Sequence, residues 1–180
     1  MTWCLVGSEM CIRDRYKLHA CCHGLHPMIE ALQASEAAAG VPLDDIKSFS
    51  LSTNPRWLAV CDIKRPRTGL EVKFSYNWLA GMTLRGDNTG DDRLFTDTIA
   101  GEAELGHFAE RISVTGDDQL TDLQARGEIS LKDGRAIPVW FDLADPLVPE
   151  VIAEKLKRKS STIIGDAVSY THLRAHETPC

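Results

Sequence analysis

Apolar residues along the chain follow two spacings, about 3.6 and 2 residues, which separate its helices from its strands. "PMIEALQASEAAAG" predicts a helix that Pro27 opens and Gly40 stops. Asp44 and Asp45 lead into "IKSFSLST", where Phe49, Leu51 and Thr53 alternate as in a half-buried strand. "WLAVCDI" is a short apolar run that fits a strand or a buried helix equally. Leu70, Phe74, Trp78 and Met82 recur every fourth residue, one stripe of a helix ending near Gly86. After the polar loop "RGDNTGDD", Leu105, Phe108, Ala109 and Ile112 predict a further helix running into the strand-like "RISVTG". Ile129 and Leu131 alternate before Asp133-Gly134, and Ile137, Val139 and Phe141 after it. That predicts a hairpin whose Asp-Gly pair supplies the positive φ angles of a two-residue turn. Pro149 opens a last helix, "PEVIAEKLKRK", with Val148, Val151, Ile152 and Leu156 on one face. The order predicts an α+β domain, helices against a mostly antiparallel sheet.

Two stretches stand outside this pattern. One choice of codons for Cys4–Arg15 has a reverse complement that translates, in a shifted frame, to Ala167–Thr178. The two ends are one nucleotide string read on opposite strands, and they resemble a transposase-type sequencing-library adapter. Residues 1–15 and 167–180 are therefore expected to be adapter-derived and to contribute nothing to the core. The domain is expected within 16–166, with a last helix cut short by the adapter.

This changes the cysteine arithmetic. Cys4, Cys11 and Cys180 fall in or beside the adapter, so the even count of 6 does not indicate disulfides. Cys21, Cys22 and Cys61 remain, which suits a reducing compartment and predicts a cytoplasmic protein. No apolar run approaches the ~20 residues of a membrane helix. A net charge of -6 disfavours nucleic acid, whose binding rests on clustered Lys and Arg. "KLKRK" (Lys155–Lys159) is the only basic run and reads as a solvated helix end.

The chemistry concentrates in "KLHACCHGLHPMIEAL", from Lys17 to Leu32. His19, Cys21, Cys22, His23 and His26 could all ligate zinc, but the second, distant ligand pair of a zinc site is missing: within 16–166 only Cys61 and His107 lie elsewhere. A second reading is a strand end whose Cys and His fill core gaps. The third starts from the helix that follows. Its N-terminal N–H groups suit a carboxylate, Lys17 adds a cation, and His26 before Pro27 can exchange a proton. Cation, imidazole and helix terminus together suit an acidic substrate whose α-proton is removed beside a carboxylate.

This segment resembles the opening of the C-terminal domain of the MmgE/PrpD family: a Lys, a small residue with Cys or His, then His and a helix with an acidic residue before Ala. "RPRTGLEVKFSYNWLAGMTLRGD" is similar to that family's Pro-x-Thr, Phe-Ser helix, and "AERISV", the hairpin and "EVIAEKLKRK" follow in its order. The family includes 2-methylcitrate dehydratase, cis-aconitate decarboxylase and iminodisuccinate epimerase, which act on small polycarboxylates, generally without a metal, so no cofactor is expected here. The resemblance implies a large helical domain beside this α+β domain, an active site between them and a homodimer. The chain would then hold about the C-terminal third of a subunit.

By the same resemblance Lys17 matches the family lysine and His26 its histidine. Cys22 stands where the decarboxylase has a histidine, with His23 beside it. Trp78 aligns with the decarboxylase's tyrosine, and Tyr76 lies two residues away. Both departures argue against cis-aconitate decarboxylation. The expected function is a metal-independent lyase, a dehydratase of 2-methylcitrate-like hydroxy-polycarboxylates. In it Lys17 holds a carboxylate, His26 or His23 moves the proton, and Cys22, Tyr76 and Trp78 line the substrate. The alternatives are a decarboxylase or epimerase of the same family, or a non-catalytic zinc-binding module.

Overall fold

The computed structural model describes residues 17–145 and 148–164; both adapter-like ends, with Tyr16 and Asp166, lie outside the described residues. Seven helices and four strands occur among the described residues. Strands β1 (Ile46–Thr53), β2 (Ile112–Gly116), β3 (Gln124–Leu131) and β4 (Ala136–Asp142) form one sheet in the order β2-β1-β3-β4. β1 and β2 are parallel; the β1–β3 and β3–β4 pairs are antiparallel. In register, Phe49 faces Ile112 on one side and Ile129 on the other, and Ile129 faces Ile137. These residues, with Leu51, Leu131 and Val139, turn one apolar face inward, while Ser50, Arg126, Glu128 and Trp140 face out. Helix α1 (His26–Ala34) packs on β3, β4 and the long helix α4 (Tyr76–Arg85), which packs in turn on α6 (Ala103–Ala109).

Several elements differ from the periodic reading, each for a local or tertiary reason. Helix α1 ends at Ala34, not Gly40, because Ser35 turns extended and the chain must fold back to bury Ala38, Leu43 and Ile46. The alanines favour helix, but burial decides. "WLAVC" is helical, as α2 (Pro55–Cys61): the Asn54 side chain accepts from the Arg56 N–H at 3.1 Å, with Pro55 in the first turn.

The stripe from Leu70 to Met82 is two helices. Thr68 caps α3 (Gly69–Val72), and Ser75 restarts the chain as α4 by accepting from the Trp78 N–H. Leu70 is consequently exposed, while Trp78 and Met82 are buried. A short helix unread in the sequence, α5 (Asp97–Ala100), is capped by Thr96, and Ile112 belongs to β2. At the hairpin only Gly134 has positive φ, +92°; its N–H meets the Leu131 carbonyl at 3.2 Å, and Asp133 keeps an ordinary backbone. The turn is of the longer kind ending in a left-handed glycine. Helix α7 (Pro149–Ile164) continues beyond the basic run, so Lys155–Lys159 lies within it and not at its end. No helix among the described residues is long and apolar enough to cross a membrane.

Candidate functional site

The segment before α1 is pinned by its backbone. The Ala20 N–H donates to the Thr89 carbonyl at 2.8 Å, and the Cys22 N–H to the Lys73 carbonyl at 3.0 Å. A single 3₁₀ turn, His23–Leu25, then delivers the chain into α1. Gly24 makes this possible: a Cβ there would lie 2.4 Å from the Trp57 ring. From below, the Tyr76 hydroxyl donates to the Gly24 carbonyl at 2.8 Å and pairs with Thr53 Oγ1 at 3.1 Å. Tyr76 is fully buried, and burial raises its phenol pKa.

The turn gathers three imidazoles. The rings of His19 and His26 meet edge-on with centroids 5.0 Å apart; His23 lies 5.0 Å from His26 and 6.4 Å from Trp57. His19 and His26 are buried, whereas His23 is half-buried. Burial, then the neighbouring His19 and His23, lower the His26 pKa to about 2, so its ring is neutral at pH 7. Its Nε2 atom is buried and has no hydrogen-bond partner among the described residues. Such an atom is costly in an unoccupied protein and useful to a ligand that pairs with it.

Behind this ring lies a buried polar chain. His19 Nδ1 is 2.7 Å from Thr89 Oγ1, and His19 Nε2 is 2.9 Å from Glu30 Oε1. Burial lowers the His19 pKa, although the Glu30 hydrogen bond works against it. Burial alone would raise Glu30, but the hydrogen bonds from His19 and Lys155 hold it below its usual range. A carboxylate only accepts, so neutral His19 carries its proton on Nε2 and accepts at Nδ1 from the Thr89 hydroxyl. Lys155 of α7 closes the chain on the other carboxylate oxygen of Glu30.

Lys17 is exposed, its carbonyl taken by the Lys159 ammonium. Cys22 is half-buried beside Cys61, whose thiol pKa is raised by burial and by Cys22; burial likewise raises Cys21. Trp78 is buried, donates from its indole N–H to the Ile99 carbonyl at 3.0 Å, and walls a second groove between α4 and α6. None of that groove's lining residues belongs to the 17–26 segment. The fold thus brings Lys17, Cys22, His23 and His26 together, sets Tyr76 beneath them and directs Trp78 elsewhere. No group of three or more His, Cys, Asp or Glu side chains among the described residues has the arrangement of a metal site. Glu30, Thr89 and Lys155 were not singled out from the sequence. Glu30 had two legible signals: its place four residues after His26, which puts both on one helical face, and its match to the acidic residue before Ala in the family pattern.

Keeping His19 and His26 neutral makes folding pH-dependent. His26 has an ordinary value of 6.5 in the unfolded chain and a value of about 2 in the fold. Below pH 6.5 the unfolded chain binds a proton that the folded chain refuses, so stability falls by up to about 1.4 kcal/mol per pH unit. Lowering the pH from 7 to 5 is expected to cost about 2 kcal/mol through His26 alone. The lowered His19 adds in the same direction. Urea unfolding at both pH values measures this, and His26→Asn should flatten the difference. Equal stability at pH 7 and pH 5 in the wild type would show that His26 is not held neutral.

An α+β domain that presents clustered imidazoles and a lysine at the start of a helix is what the fold and the site together define. The family model for the MmgE/PrpD C-terminal domain matches residues 19–169. The chain belongs to the MmgE/PrpD family, of which it carries the C-terminal domain. No curated protein matches it.

Proposed function

We propose that this domain forms one wall of the active site of a lyase, a dehydratase of small hydroxy-polycarboxylates such as 2-methylcitrate. A helical domain supplies the other wall, and two such subunits associate. The observation that carries this reading is His26 Nε2, buried and unpartnered at the N-terminus of α1, with Lys17 and His23 beside it. Lys17 grips a substrate carboxylate, and the N-terminus of α1 favours the negative charge that develops there. His23 takes the α-proton, the C–H electron pair becomes the new double bond, and the β-hydroxyl departs as water with the proton that His23 gives back. His26 stays neutral and hydrogen-bonds the bound acid through Nε2. Cys22 lines the pocket and Tyr76 holds the turn from below. Trp78 would reach substrate only by way of the second groove.

Turnover of 2-methylcitrate and related hydroxy acids by the enzyme carrying its helical domain tests the proposal. Formation of the unsaturated acid supports it; release of CO2 or epimerisation without water loss would replace dehydration with a sister reaction. In the same enzyme Lys17→Ala is expected to raise KM about 10- to 100-fold, the scale of a charged hydrogen bond, with kcat little changed. An unchanged KM would remove Lys17 from the carboxylate site.

A further inference from the structure

On the far side of His19 from His26, a cavity of about 60 Å³ opens between α7 and the 88–90 loop. Lys155, Arg158 and Lys159 line it from the helix, Asn88 and Thr89 from the loop, and Gln33 from α1. Its charges do not balance. Among the described residues Glu30 is the one carboxylate ion-paired with these cations, and it is already shared between His19 and Lys155. Lys159 donates to a neutral acceptor, the Lys17 carbonyl. Arg158 has no ion-pair partner among the described residues. Burial, then the neighbouring Lys17 ammonium, hold the Lys159 pKa below its ordinary value, although the Asp92 carboxylate acts against them. In a chain of net charge -6, elsewhere rich in Arg–carboxylate pairs, this excess of cations is local.

We propose that this cavity is a binding site for a small oxyanion, held by Arg158 and Lys159 with the polar edge of the 88–90 loop. Size limits the ligand. At about 60 Å³ the cavity is several times the ~10–15 Å³ that one water needs, room enough for one phosphate or carboxylate group. Phosphate and a carboxylate end share the required chemistry, several acceptor oxygens around a negative centre that a guanidinium and an ammonium can grip. The site shares only His19 with the imidazole cluster, so it does not depend on the proposed reaction.

The test is thermal unfolding of the whole chain at constant ionic strength, with sodium chloride replaced stepwise by orthophosphate or by succinate, and ³¹P linewidths in the phosphate arm. A saturable rise in Tm is expected with at least one of the two, and the responding anion identifies the source. Arg158→Ala should raise the half-saturating concentration about tenfold or more, the scale of one charged hydrogen bond. Arg65→Ala, on the wall of the second groove, should leave it unchanged. If Arg158→Ala does not fold, saturable ³¹P broadening with wild type, competed by succinate or sulfate but not by chloride, carries the same decision. No saturable response to either anion, or an equal response in wild type and Arg158→Ala, would overturn the proposal.

Discussion

In the enzyme carrying its helical domain, His23→Ala is expected to lower kcat by about 10²–10⁴-fold, the range for a lost general acid or base, while KM changes little. The choice between His23 and His26 rests on burial. With its pKa near 2, His26 lies about five units below neutral pH. Charging it there costs about 7 kcal/mol at 1.36 kcal/mol per unit, which leaves it a poor proton carrier. His23 is half-buried at the same turn, 5.0 Å from the His26 ring, and so lies nearer to solvent and substrate. His26→Ala should instead act mainly on KM, because in the proposed reaction it removes a hydrogen-bonding partner of the bound acid. Steady-state kinetics of both variants decide the matter. An intact kcat in His23→Ala with loss of turnover in His26→Ala would reverse the assignment and imply that the bound acid returns His26 to a working pKa.

Glu30→Ala is expected to destabilise the domain by about 3 kcal/mol, the lower end of the range for breaking a buried pair. The carboxylate is buried, and its loss leaves the buried His19 Nε2–H without its acceptor. Lys155 limits the damage, since its side chain is 26% exposed and can turn to water. Glu30→Gln should cost less, because the amide oxygen can still accept from His19. Urea unfolding at pH 7.5, above the titration of both buried histidines, isolates this contribution from the acid effect. A loss below about 1 kcal/mol would mean that the Thr89–His19–Glu30–Lys155 chain is not a stabilising unit.

Most of the framework could be read along the chain, because it rests on local rules. The inward Phe49, Leu51, Ile129 and Val139 follow the alternation of strands, and Gly86 and Gly134 sit at chain reversals where φ is positive. The places where the reading failed are those where distant residues decide. Two hydroxyl caps split the stripe from Leu70 to Met82, and the need to bury Ala38 and Leu43 cut short an alanine-rich helix. Asn54, followed by proline, settled the ambiguous "WLAVC" as helix, a cap signal present in the sequence but outweighed by its apolar run.

The site divides in the same way. Lys17, Cys22, His23 and His26 lie within ten residues, so their proximity and their family resemblance were properties of the sequence alone. Their chemical states were not. Burial that depresses His26, a carboxylate four residues on that fixes the tautomer of His19, and a lysine 125 positions away that holds that carboxylate ionised exist only once α1, α7 and the 88–90 loop are packed. A side chain's identity is carried by the chain, whereas its protonation is set by solvent exclusion and by neighbouring charge, and both depend on which elements the fold brings against it.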